Sequence, residues 1–158
     1  MKPTAIMFVC TGNICRSPMA EFVMKALIQN SPLAGTVKVA SAATTKWEIN
    51  SMPHEGTVKR LAQEGISCEG KRAMVLHAED YEHYDYIIGM DQMNMIAMKE
   101  IFADYPEGKC KKLMSYVGSE ADVADPWYTG DFEQTYQDIY QGCNAILAML
   151  IKEGKADT

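Results

Sequence analysis

Cys10, Arg16 and Ser17 sit within one short stretch, Cys10-Thr11-Gly12-Asn13-Ile14-Cys15-Arg16-Ser17. A thiolate is a nucleophile, and a guanidinium is a planar fork that matches two oxygens of an oxyanion. Gly12 and Asn13 tolerate positive φ, so the backbone here can curl and turn several N–H groups inward. Thr11, Gly12, Asn13, Ile14, Cys15 and Ser17 are therefore expected to line an anion site, with Cys10 at its base. Ser17 can add a hydroxyl hydrogen bond to the sulfur, and a nearby helix N-terminus and guanidinium favour the thiolate. The chemistry this suits is nucleophilic attack on an anionic centre. The Gly-Lys-Ser/Thr ending of nucleotide-binding loops is absent. Read alone, the Cys-x5-Arg spacing also fits a buried strand-end cysteine followed by a surface cation.

The flanking residues decide between these readings. Ala5-Ile6-Met7-Phe8-Val9 is a short apolar run with no polar interruption, as in a buried parallel strand. Ser17 is a good N-cap and Pro18 suits the first helical position. Ala20, Val23, Met24 and Leu27 then recur on one helical face. The stretch becomes a loop between a strand's C-terminal end and a helix's N-terminus, where α/β sheets bind ligands and helix ends bind anions.

The run Val9-Cys10-Thr11-Gly12-Asn13-Ile14-Cys15-Arg16-Ser17-Pro18-Met19-Ala20-Glu21 resembles the phosphate loop of the low-molecular-weight protein tyrosine phosphatases. The likeness continues through Met90-Asp91 and Asp125-Pro126 and is looser from Thr44 to His83. It implies a single α/β domain over residues 1–158, with a four-stranded parallel sheet in the order 2-1-3-4, helices on both faces and flavodoxin-like winding. It further implies that Cys10 is the nucleophile, Arg16 the phosphate clamp and Asp125 the general acid. Ser41 would hydrogen-bond Asn13, and Trp47 would wall the slot for a phosphotyrosine ring. The family commonly places a loop-bracing His near Gly70-Lys71-Arg72; here Gly70 stands in that place.

The chain of 158 residues, 47% hydrophobic and 23% charged, has the balance of one globular domain. A net charge of -6 without a basic run argues against nucleic acid or an anionic membrane as partner. Attraction for phosphate must then be local to the loop. The apolar stretch after Met1-Lys2-Pro3-Thr4 is too short for a signal peptide, and no run approaches membrane-spanning length. The five cysteines are scattered and form no zinc spacing, which points to a reducing cytoplasm and no metal or cofactor. The twelve methionines read as core filler.

Further along, Val37 to Ala40 reads as a second strand ending at Ser41-Ala42-Ala43. A helix is expected from Ser51-Met52-Pro53, with Val58, Leu61 and Ala62 inward, Gly65 closing it and His54 solvated. Ala78 to Tyr84 reads as a short helix, Asp85 to Met90 as the third strand, and Asp91 as the cap of a helix from Gln92 to Phe102. Tyr105 to Gly108 reads as a turn and Lys112 to Ser115 as the fourth strand. Asp131 caps a last helix whose apolar face includes Tyr136, Ile139, Cys143, Ile146 and Leu150, with fraying expected from Gly154. Pro126 holds Asp125 extended within a polar loop. On its own Asp125 is one of 21 acidic residues. The loop's chemistry demands a proton donor, and the family places Asp-Pro followed by two aromatics here, so Trp127 and Tyr128 are expected to form another wall.

These features predict a metal-independent hydrolase of phosphomonoesters, foremost phosphotyrosine in proteins. Its partners would be phosphotyrosine proteins, a tyrosine kinase among them, and it would be a monomer or weak dimer. Three alternatives stand. An arsenate reductase of this fold needs two further cysteines close in sequence, whereas Cys68 and Cys110 are isolated. Phosphoarginine hydrolases of the fold tend to carry Thr where this chain has Ile14. A non-catalytic oxyanion-binding module would not need the full set of groups. Cys15 is either a small packing residue or a thiol able to form a disulfide with oxidised Cys10.

Overall fold

A computed structural model describes residues 3–103 and 108–156. Four parallel strands, β1 (Thr4–Cys10), β2 (Val37–Ala43), β3 (Tyr86–Gly89) and β4 (Cys110–Lys112), form one sheet in the order β2-β1-β3-β4. This is the expected winding, and β1 is central. Its side chains alternate between two cores. Ile6, Phe8 and Cys10 pack with Met19, Val23 and Met24, while Met7 and Val9 pack with Ile87, Met95 and Met98. Cys10 is thus in phase with Ile6 and Phe8 and turns toward the helix that follows it.

Six α-helices surround the sheet among the described residues: α1 (Arg16–Gln29), α2 (Glu55–Gln63), α3 (Asp80–His83), α4 (Gln92–Ile101), α5 (Pro126–Thr129) and α6 (Phe132–Ala156). That is one more than expected, because Pro126 opens a single helical turn within the polar loop. Asp91 caps α4 in a capping box with Asn94, and the Asp131 carboxylate accepts from Gln134 N at 2.9 Å. Tyr136, Ile139, Cys143, Ile146 and Leu150 face the core from α6 as their spacing predicts. The helix continues past Gly154 as far as Ala156.

Other expectations need correction. α1 begins at Arg16, so Ser17 lies inside it and Pro18 falls at its third position, still among the N–H groups without an intrahelical partner. Ser17 cannot cap because its hydroxyl is committed to Cys10 and Asn13. β2 continues to Ala43, where it meets Val75 in an isolated parallel bridge. α2 starts at Glu55, because Ser51 bonds Glu48 at 3.0 Å and His54 Nδ1 accepts from Gly56 N at 2.9 Å. It buries Thr57, Arg60 and Leu61, leaving Val58 and Ala62 outside. Arg60 turns inward because its guanidinium lies 3.8 Å from the Tyr136 ring centre and pairs with Glu133. β4 stops at Lys112, and Leu113–Val117 forms a 3-10 turn. Leu113 and Met114 are both buried, which a strand's alternation would forbid with one face wet. Gly142 on α6 admits Leu113, since a Cβ there would overlap its side chain. The turn expected at Tyr105 to Gly108 lies largely outside the described residues.

Candidate active site

The loop from Cys10 into α1 encircles the Cys10 sulfur. Asn13 N and Ser17 N donate to Sγ at 3.3 and 3.4 Å, and Ser17 Oγ lies 2.9 Å from it. The direction of that last bond follows from the neighbours. Asn13 Nδ2, a donor only, reaches Ser17 Oγ at 2.7 Å and Ser41 Oγ at 2.9 Å. Ser17 accepts from Asn13, so its own proton is free for the sulfur. Asn13 has φ of 58° and is buried, and its Oδ1 accepts from Met74 N at 2.9 Å. The side chain therefore locks the left-handed turn that aims the loop amides inward. Gly12 tolerates positive φ but does not adopt it; within the loop Asn13 alone does.

Arg16 is almost fully buried, at 1% exposure. It donates to Asp91 Oδ2 at 2.7 Å and to the Val123 carbonyl at 2.9 Å, and reaches Asp125 Oδ2 at 3.4 Å. Burial alone would disfavour its charge. The facing Cys10 sulfur, Asp91 and Asp125 outweigh that and hold the guanidinium above its ordinary value. Asp91 thus braces Arg16 from just beyond β3, while the contact to Asp125 is the longer one. Asp125 caps α5 with φ of -82° and ψ of 112°, extended as Pro126 requires. Its Oδ1 accepts from Trp127 N at 3.0 Å, so only Oδ2 faces the loop.

Above the loop lies a slot of about 150 Å³ lined by Cys10, Thr11, Gly12, Ile14, Cys15 and Arg16, with Trp47, Glu48, Asp125, Trp127 and Tyr128 around it. Trp47, Trp127 and Tyr128 are exposed and together form its aromatic walls. The structure therefore brings together every residue expected at the site. A larger groove of about 730 Å³ between α2 and residues 65–72 contains neither Cys10 nor Asp125. Cys15 is a buried residue of the loop, where burial, then the Cys10 and Asp125 charges, push its thiol up to about 12. That placement suits packing.

Some contributors were not foreseen. Glu48 lines the slot beside Trp47. Asn94 donates to Thr11 Oγ1 at 3.3 Å and so ties α4 to the loop. His54, expected to be solvated, donates its backbone N–H to Ile14 O at 2.7 Å, stacks on Phe132 at 5.1 Å and meets Trp127 edge-on at 5.7 Å. Its position just after Pro53 and before Glu55 was the available sign of a cap. This bed for Trp127 depends on Gly56, because a Cβ there would overlap the Phe132 ring. Gly56→Ala is expected to destabilise the fold by about 1–3 kcal/mol through overpacking. It should also raise KM for an aryl phosphate. A urea midpoint equal to the parent's would contradict the packing.

Among the described residues no group of three or more His, Cys, Asp or Glu could hold a metal ion, and no helix is long and apolar enough to cross a membrane. With strand, loop and acid in this arrangement, comparison with known proteins is decisive. The model of the family described as low molecular weight phosphotyrosine protein phosphatase matches residues 5–156. The chain is 42% identical over 151 residues to the low molecular weight protein-tyrosine-phosphatase YfkJ of Bacillus subtilis, covering 94% of this chain and 97% of that one. The crystal structure of YfkJ superposes with a TM-score of 0.93 at 41% identity, covering 97% and 98% of the two chains. A Drosophila arginine phosphatase structure matches at 0.82 and 28% identity, covering 95% and 98%. The chain belongs to the low molecular weight phosphotyrosine protein phosphatase family.

Proposed function

We propose that this chain hydrolyses phosphotyrosine in proteins through a phosphocysteine intermediate. The observation that carries the reading is the Cys10 sulfur, held by two loop amides and the Ser17 hydroxyl at the floor of an aromatic-walled slot that Asp125 faces. The phosphate dianion enters the loop. Arg16 keeps Asp91 and exchanges its long contact with Asp125 for phosphate oxygens. The Cys10 thiolate attacks phosphorus in line, forming the S–P bond as the ester P–O bond breaks. The departing phenolate takes the proton from Asp125 Oδ2. Asp125 then accepts a proton from water, which attacks phosphorus; the S–P bond breaks and the thiolate and phosphate are regenerated. Arg16 and the loop amides stabilise the charge on the equatorial oxygens, so no step needs a metal ion.

Trp47, Trp127, Tyr128 and Ile14 offer flat apolar contact, which favours a tyrosyl ring over the charged guanidino group of phosphoarginine. The setting proposed is the cytoplasm, with phosphotyrosine proteins as partners, a tyrosine kinase among them. The test is turnover in the presence of EDTA. p-Nitrophenyl phosphate and phosphotyrosine peptides should be hydrolysed, and phosphoarginine much more slowly. Preference for phosphoarginine, or no hydrolysis of either aryl ester, would overturn the reading.

A further inference from the structure

One buried hydroxyl on α6 has no part in the chemistry above. Thr135 is fully buried, on the same helix whose Tyr136, Ile139 and Cys143 face the core. A helical threonine commonly turns its hydroxyl back to a carbonyl of the preceding turn. Thr135 instead donates across to the Ala124 carbonyl at 3.0 Å, on a segment that lies outside α6. Ala124 is the residue immediately before Asp125. Its side chain is exposed and offers no packing that would hold the peptide in place.

A peptide unit is planar, so the Ala124 carbonyl and the Asp125 N–H turn together. Thr135 therefore fixes the backbone where it enters Asp125. The backbone leaving Asp125 is fixed separately, since the Asp125 carbonyl accepts from Tyr128 N at 3.1 Å and Thr129 N at 3.2 Å. One residue further back, Val123 is buried, donates its N–H to Met90 O at 2.8 Å and gives its carbonyl to Arg16. The Asp125 carboxylate has two ties of its own: Trp127 N donates to Oδ1 at 3.0 Å, and Arg16 Nη2 reaches Oδ2 at 3.4 Å. The second is given up when phosphate oxygens occupy Arg16. From then on the aim of Oδ2 depends on Trp127 N and on the two peptide planes that flank Asp125.

We propose that Thr135 is a positioning residue for the reaction: its hydroxyl fixes the peptide before Asp125 and so aims the carboxyl at the leaving oxygen once Arg16 has turned to phosphate. This rests on the phosphatase reading above. Helix α6 thereby sets the geometry of proton transfer without touching substrate.

The experiment compares the parent with Thr135→Val, Thr135→Ala, Thr135→Ser, Asp125→Asn and the Thr135→Val/Asp125→Asn double variant. Valine keeps the buried shape and removes the donor; alanine removes it without placing a methyl group against the Ala124 carbonyl. Each protein is assayed for kcat/KM over aryl phosphates from phenyl phosphate to activated esters, for inorganic phosphate affinity by calorimetry and for urea midpoint. Thr135→Val and Thr135→Ala should lower kcat/KM for phenyl phosphate about tenfold, since a small misplacement of a reacting group is costly. The most activated ester, which needs little proton transfer, should lose less than about twofold. Phosphate affinity should stay at the parent value, because Arg16, Asp91 and the loop amides are untouched. Thr135→Ser keeps the donor and should restore the parent's profile. With Asp125→Asn already present, Thr135→Val should cost almost nothing more on phenyl phosphate. A purely structural Thr135 would lower the urea midpoint and leave the dependence on leaving group at the parent slope, and that result would overturn the proposal. A further tenfold loss in the double variant would also overturn it, since Thr135 would then not act through Asp125. So would Thr135→Ser behaving like Thr135→Val. A parent that hydrolyses no aryl phosphate would refute the phosphatase reading and the proposal with it, whereas an active parent with an unchanged slope in Thr135→Val refutes the proposal alone.

Discussion

Cys10→Ser is expected to abolish turnover, by roughly 10⁴-fold or more, while leaving inorganic phosphate bound. The size follows from removing a covalent nucleophile, whose partners cannot replace it. A serine hydroxyl at this position has no base to take its proton; the groups around Cys10 Sγ are donors, two amides and the Ser17 hydroxyl. Binding survives because its components lie elsewhere. Arg16 remains anchored by Asp91 at 2.7 Å and the Val123 carbonyl at 2.9 Å, and the Asn13 side chain still locks the loop. Steady-state assay with p-nitrophenyl phosphate and calorimetry with phosphate measure the two halves separately. Retained hydrolysis would remove Cys10 from the mechanism; loss of phosphate binding would mean that the sulfur holds the loop together.

The second large effect concerns the leaving group. Asp125→Asn should slow phenyl phosphate and phosphotyrosine by about 10²–10⁴-fold, the range for a lost general acid. It should slow an activated aryl phosphate much less, because a stable phenolate departs without a proton. The amide keeps the shape of the carboxylate and its Oδ1 can still accept from Trp127 N, so the α5 cap and the aromatic wall are retained. The slope of log kcat against leaving-group basicity should therefore steepen in the variant. Equal losses across the series would make Asp125 a residue that positions α5 and nothing more.

The loop was legible in the sequence because its parts are local. Cys10, Asn13, Arg16 and Ser17 fall within one strand-loop-helix unit, and strand alternation already turns Cys10 to the face of Phe8. Asp125 was legible only in combination: Pro126 made it extended, the chemistry of Cys10 called for an acid, and the family resemblance placed Asp-Pro and two aromatics at this point of the chain. The same local reasoning misplaced the start of α1, because Ser17 looks like a cap until the thiol that claims its hydroxyl is seen. His54 was misread as solvated, and Asn94 and Lys71 escaped notice, for a related reason. His54 reaches the loop at Ile14, Asn94 reaches it at Thr11, and Lys71 donates to the Ser41 carbonyl. No spacing rule connects such pairs; tertiary packing alone joins them. Leu113 shows the converse limit, since its short apolar run fits a strand until α6 supplies a glycine to receive it.

The central claim is that phosphorus passes through the Cys10 sulfur. Acid quenching within the first turnover on an aryl phosphate, followed by ³¹P NMR and mass spectrometry of the denatured protein, tests it directly. A thiophosphate resonance and one added phosphoryl group on the peptide bearing Cys10 are expected, with more intermediate accumulating when Asp125 is replaced and an activated substrate is used. Phosphate release with no protein-bound phosphorus, in the parent and the Asp125→Asn variant alike, would mean that water attacks the substrate directly and would contradict the account.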